Sequence, residues 1–140
     1  MNSMAATSTE YLLLVTDTTP EVYDRMTADE RRTSLDRWNE WVDGMSDRGL
    51  LRAGQPLVAA ARMVSGAGGR KVFDGPFTEA KELVGGYFIL GGTTLDEVTE
   101  IARQCPNLQN GMTVEIRPIA NACHLAESLG WETMKAPVSV

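Results

Sequence analysis

Two short runs, Tyr11-Leu-Leu-Leu-Val15 and Tyr87-Phe-Ile-Leu90, are apolar at every position, and no other feature narrows the fold as much. Side chains on a strand alternate between its two faces. A strand that is apolar throughout therefore requires cover on both sides. The segments around these runs supply part of that cover. Thr27-Ala-Asp-Glu30 has the form of a capping box. Behind it, Leu35, Trp38, Trp41, Val42 and Met45 recur at helical spacing and make one apolar face. Gly49 is a natural stop for that helix. Leu50 to Val64 reads as extended, with Gly54 and Pro56 predicting a bulge or bend. Ser65 to Gly69 turns the chain into Arg70 to Phe73 as a hairpin. A second capping box, Thr94-Leu-Asp-Glu97, opens a helix carried by Leu95, Val98, Ile101, Ala102 and Cys105, and Pro106 ends it. Thr113 to Pro118 alternates Val114 and Ile116 against Glu115 and Arg117, the pattern of a strand with one polar face. Asn121 to Gly130 is expected to hold a short terminal helix.

This order, β, α, β-hairpin, β, α, β, is that of a ferredoxin-like α+β sandwich. Two helices cover one face of its sheet. The economical cover for the other face is the same sheet of a second copy, in an isologous C2 pair. A homodimer is therefore expected. The 140 residues read as a single domain over 1–140, with a core at about 11–119, an N-terminal tail at 1–10 and a C-terminal extension at 120–140. Met1 to Thr9 is polar and lacks the basic start and apolar centre of a secretory signal.

Charge and cysteine usage exclude several classes of function. Nineteen acidic against thirteen basic side chains give a net charge of −6 with no basic cluster, which speaks against direct nucleic-acid binding. No apolar run approaches the ~20 residues of a membrane helix, so no membrane partner is expected. Cys105 and Cys123 lack C-x-x-C spacing, and with only His124 beside them no structural zinc set exists in the chain. Two reduced thiols in a cytoplasmic protein is the reading adopted, with no metal and no cofactor implied.

The stretch Lys71 to Leu90 packs a strand, the sharp turn Asp74-Gly75-Pro76, a charged segment and the second apolar strand into twenty residues. Its Asp74-Gly-Pro-Phe77 resembles the signature of the DGPF group of the YCII-related family. The likeness extends over residues 11 to 119 through Lys81-Glu82, Gly85-Gly86-Tyr87, Leu95-Asp96, Val114 to Pro118 and the Gly49-Leu50 to Gly54 stretch. The resemblance implies a dimeric α/β barrel, in which the sheets of two ferredoxin-like chains enclose pockets. It also implies two kinds of relative: small enzymes of aromatic degradation, and proteins associated with extracytoplasmic-function sigma factors. Relatives proposed to be enzymes carry a histidine about eleven residues before the helix-ending glycine, working with an aspartate. Counted back from Gly49, that position is Trp38 here, and an indole N–H takes no proton at neutral pH.

Each candidate residue has a functional and a structural reading. Asp74 is a candidate general base; structurally it would cap Gly75-Pro76 as an Asx-turn. Glu79 is a second candidate for proton transfer, and Lys81 a candidate anion anchor beside Glu79 and Glu82; mixed charges on a loop are otherwise a solvated face. Arg117 offers a planar fork for a ligand carboxylate or, as the leading reading, for a carboxylate of the 74–82 segment. Trp38 and Trp41 are candidates for lining an aromatic pocket, against the commoner role of core or interface anchors. The glycine-rich turn at 66–69 lacks the Lys-Ser/Thr of a P-loop. His124 and Cys105 read as a terminal polar residue and a small core residue.

Two function classes follow. The first is a non-catalytic dimeric module that binds a small molecule or a protein, linked through the resemblance to sigma-factor regulation. The second is a cofactor-free lyase or isomerase acting on an aromatic-derived acid, with Asp74 or Glu79 moving protons and Trp38, Lys81 or Arg117 holding the ligand.

Overall fold

The computed structural model describes residues 9–75 and 83–138. Four strands form an antiparallel sheet: β1 (Glu10–Asp17), β2 (Leu51–Pro56), β5 (Leu83–Gly91) and β6 (Met112–Pro118), in the order β2-β5-β1-β6. The remaining two, β3 (Arg62–Ser65) and β4 (Lys71–Asp74), pair only with each other as a hairpin inserted between β2 and β5. The helices are α1 (Ala28–Asp47), α2 (Leu95–Arg103) and a short α3 (His124–Ser128). With the hairpin set aside, the strand order is that of the ferredoxin-like α+β plan the sequence predicts.

Both long helices begin where the capping residues place them, though not identically. Thr27 Oγ1 accepts from the Glu30 N–H and the Glu30 carboxylate accepts from the Thr27 N–H, so the first capping box is complete. At α2 only half of it forms. Thr94 accepts from the Glu97 N–H, while the Glu97 carboxylate takes the Thr93 hydroxyl at 2.7 Å. The C-terminus of α1 closes through Gly49 at φ +73°, with Gly49 N–H donating to Ser46 O and Leu50 N–H to Met45 O. That is the Schellman arrangement, which glycine adopts without a Cβ penalty.

Tyr11, Leu13 and Val15 of β1 and Phe88 and Leu90 of β5 form the inward face of the sheet. Trp41 and Met45 of α1, Val98 and Ile101 of α2, and Cys105 close over them. The Trp41 indole N–H donates to Ile101 O at 2.9 Å, which ties the two helices together in the interior. On the opposite face, Leu12 stands between Ile89 and Arg117, and Leu14 between Tyr87 and Glu115. The four apolar members of these rows are half-buried and the two charges are exposed. Among the described residues no helix is long and apolar enough to cross a membrane. Cys105 and Cys123 are free thiols.

Candidate functional site: an aromatic cleft beside helix α1

The first half of α1 does not seal against the sheet. Leu35 belongs to the apolar stripe yet stays 58% exposed, and Trp38 and Val42 are half-buried. Between this stretch and the ends of β1, β2 and β5 lies a cleft of about 630 Å³. Trp38 and Phe88 are its aromatic walls, their ring centroids 5.9 Å apart; Trp41 stacks behind both, 5.1 Å from Trp38 and 5.7 Å edge-on from Phe88. Trp41 spends its indole N–H on Ile101 O, whereas among the described residues no group accepts from the Trp38 indole.

Glycines shape the floor. A Cβ on Gly54 would collide with the Phe88 ring, so only glycine there leaves room for that ring. The pairing of β1 with β5 slips between Val15 and Thr16, leaving Gly85 as the bulged residue. A Cβ placed on Gly85 would stand 3.8 Å from Asp17 Oδ2, so the bulge lies in contact distance of that carboxylate.

The polar end of the cleft gathers Asp17, Tyr23, Arg31 and Asn107. Its position is set by a strap. Thr18 donates through N and Oγ1 to Gly111 O, and Thr19 Oγ1 donates to Asn110 O, binding the end of β1 to the 107–111 turn. Tyr23, on a 3-10 turn at Pro20–Arg25, donates its hydroxyl to Asp17 Oδ1 at 3.4 Å. Burial raises the Asp17 carboxyl from its ordinary value, with the Tyr23 hydrogen bond pulling the other way. Tyr23 is pushed up to about 12, first by burial and then by the Asp17 charge and hydrogen bond. Burial likewise raises the Cys105 thiol beneath them. Arg31 is already engaged, donating from Nε and Nη2 to Met26 O at 3.2 and 3.0 Å.

The residues singled out from sequence scatter. Trp38 lines the cleft. Asp74 lies on the hairpin, where Arg62 grips it through Nε at 2.5 Å and Nη2 at 3.3 Å, both side chains 68% exposed. The expected Asx-turn has no donor, because the residue two positions on is Pro76, which lacks an N–H. Arg117 faces the open side of the sheet, opposite the cleft, and its Nε sits 3.7 Å from Glu115 Oε2. Of the 74–82 carboxylates expected to meet Arg117, Asp74 pairs instead with Arg62 across the hairpin, and among the described residues the carboxylate beside Arg117 is that of Glu115. Glu79, Lys81 and Glu82 lie outside the described residues. Sequence reasoning passed over Asp17, Tyr23 and Asn107. One signal was present: a carboxylate, Asp17, stands two residues beyond the apolar run Tyr11 to Val15. Among the described residues no group of three or more His, Cys, Asp or Glu side chains is placed to hold a metal.

Comparison with known proteins gives a family and two likenesses. The model of the YCII-related domain matches residues 9–121. An uncharacterized protein of Rhizobium meliloti (strain 1021) is 38% identical over 66 residues, which is 46% of this chain and 53% of that protein. The match therefore spans about half the length of that curated relative. Among solved structures, 5-chloro-2-hydroxyhydroquinone dehydrochlorinase from Burkholderia phenoliruptrix AC1100, in complex with 2,5-dihydroxybenzoquinone, overlaps with a TM-score of 0.47 at 13% identity. The overlap covers 81% of this chain and 95% of that one.

Proposed function

The chain belongs to the YCII-related domain family, and from that premise we propose that it is a homodimeric module that binds a small aromatic molecule in the cleft beside α1. The observation that carries this reading is the pair of contacting Trp38 and Phe88 rings, centroids 5.9 Å apart, lining an apolar cleft of about 630 Å³ among the described residues. Apolar pockets with a few convergent polar groups are the usual form of a small-molecule site. Dimerisation through the open sheet face would cover Leu12, Leu14, Tyr87 and Ile89, and the self-complementary Glu115 and Arg117 suit an isologous contact. Such a ligand-reading dimer is compatible with a regulatory role beside a sigma-factor partner, as the DGPF resemblance implies.

A second reading, that of a cofactor-free enzyme, rests on one observation: Asp17 lines the cleft beside Gly85, with its proton affinity raised by burial. A carboxyl in that state is suited to proton transfer. Asp74, exposed and ion-paired on the hairpin, has no place in it.

Tryptophan fluorescence tests the binding reading. Titration with one- and two-ring aromatics should quench the emission saturably, and Trp38→Ala should weaken binding at least about tenfold, the loss of one aromatic wall costing ~1.4 kcal/mol or more. Undiminished binding by Trp38→Ala would move the site elsewhere. Turnover of a bound ligand that disappears in Asp17→Asn would establish the second reading over the first.

A further inference from the structure

Hairpin β3–β4 puts an apolar pair on each of its faces and leaves both in water. In its register Met63 stands opposite Phe73, and Val64 opposite Val72. Residues directly opposite share a face, and successive pairs take opposite faces. Met63 and Phe73 therefore lie on one side of the ribbon, and Val64 and Val72 on the other. All four are 53% to 63% exposed. The two strands pair only with each other. A lone two-stranded ribbon is marginal in water, so this one calls for cover.

The ribbon runs on from the open face of the sheet. Thr16 follows Leu12 and Leu14 on that face, and Val84 stands opposite Thr16, beyond the bulge. Val84 and Leu57 are each 46% exposed, and the Leu57 N–H donates to Gly85 O, which ties the root of the hairpin to β5. The half-buried Leu12, Leu14, Tyr87 and Ile89 offer on the order of 200 Å² to a partner, against the ~800 Å² a side of a standard interface. The four ribbon residues with Leu57, Val58 and Val84 expose on the order of 600 Å² more, as much as the largest patch of a typical monomer. Sheet face and hairpin together reach the area that a stable pair needs; the sheet face alone falls well short.

Charge points the same way. From Leu57 to Phe73 the chain carries Arg62, Arg70 and Lys71 and no acid, although its net charge is −6. Arg62 is met by Asp74. Among the described residues no carboxylate meets Arg70 or Lys71. The acid excess thus lies outside the ribbon, which makes the ribbon and the rest of the chain complementary. A contact in which each copy gives one arm and receives one needs that relation.

Resting on the dimer through the open sheet face, we propose that β3–β4 is an arm that each protomer lays against the other. The arm carries the larger share of the interface and extends it past the ends of β2 and β5. The partner that covers Met63, Phe73, Val64 and Val72 is a second copy of this chain.

The test follows the full-length chain by sedimentation equilibrium and amide hydrogen exchange. The wild type should be a dimer at micromolar concentration, with the amides of 62–65 and 71–74 protected, and that protection should vanish in monomeric Leu14→Asp. Replacing Met63 and Phe73 together by Thr, which suits a strand, should raise the dimer dissociation constant at least about a hundredfold. Val64→Thr with Val72→Thr should act in the same direction. If neither variant folds, exchange in the wild type decides. A dissociation constant unchanged in both folded variants, with the dimer still lost in Leu14→Asp, overturns the arm and leaves the sheet-face dimer standing. Fast exchange of the ribbon in the wild-type dimer also overturns it. So does binding to phosphatidylserine vesicles that both variants lose while remaining dimers, since the ribbon then serves a lipid surface. A monomeric wild type overturns the arm and the dimer together.

Discussion

At the residue scale the decisive group is Asp17, whose carboxyl is raised by burial rather than lowered by a cation. The folded chain therefore keeps a proton over a pH window in which the unfolded chain has released it. Within that window the native state binds more protons, so stability falls as pH rises. Asp17→Asn removes this penalty. Its melting temperature should exceed that of the wild type at neutral pH, and the difference should vanish below the unfolded carboxylate value of about 4. The gain should stay under about 1 kcal/mol, because Asp17 remains partly solvated. A pH series of thermal melts on the two proteins reads this directly, and a neutral-pH loss of stability in Asp17→Asn would show that the ionised group is favoured instead. Trp38 makes the complementary point. As a large aromatic at helical spacing it is visible in sequence, but whether it fills the core or walls a cavity depends on how α1 sits on the sheet.

At the scale of elements, the two helix starts look alike in sequence and differ in the fold. Thr27 exchanges two hydrogen bonds with Glu30, while Glu97 turns to Thr93 and leaves Thr94 with one. Thr27→Ala should cost about 1 kcal/mol, near the middle of the range for N-cap loss, and Thr94→Ala less. Urea unfolding of both variants would check the ranking, and an equal or reversed order would mean that the reciprocal bond adds nothing. The hairpin β3–β4 was legible from its glycine-rich turn. The partners of Asp74 were not, because Arg62 reaches it only once the register Arg62↔Asp74 is set.

For the whole molecule the central matter is the open sheet face. Leu14 and Ile89 lie on it, half-buried in the single chain and away from the cleft. If two copies meet there, Leu14→Asp should shift the chain from dimer to monomer in sedimentation equilibrium while leaving its folded circular dichroism intact. A chain that is already monomeric as wild type, at micromolar concentration, would end the dimer reading. The cleft lies between α1 and the sheet within one chain, so such a variant separates assembly from ligand binding.

What the sequence determined alone were the quantities set by local chemistry and periodicity. The doubly apolar strands, the Thr27 cap, the Gly49 stop and the alternation in β6 each depend on neighbours a few residues away, and together they specify the ferredoxin-like order. The tertiary structure alone decided where distant groups meet. Asp17, Tyr23 and Asn107 come from the end of a strand, a 3-10 turn and the loop after α2, and nothing in their spacing links them. They converge because Thr18 and Thr19 hydrogen-bond across more than ninety residues of chain to Gly111 and Asn110, while the bulge at Gly85 lies beside the Asp17 carboxylate.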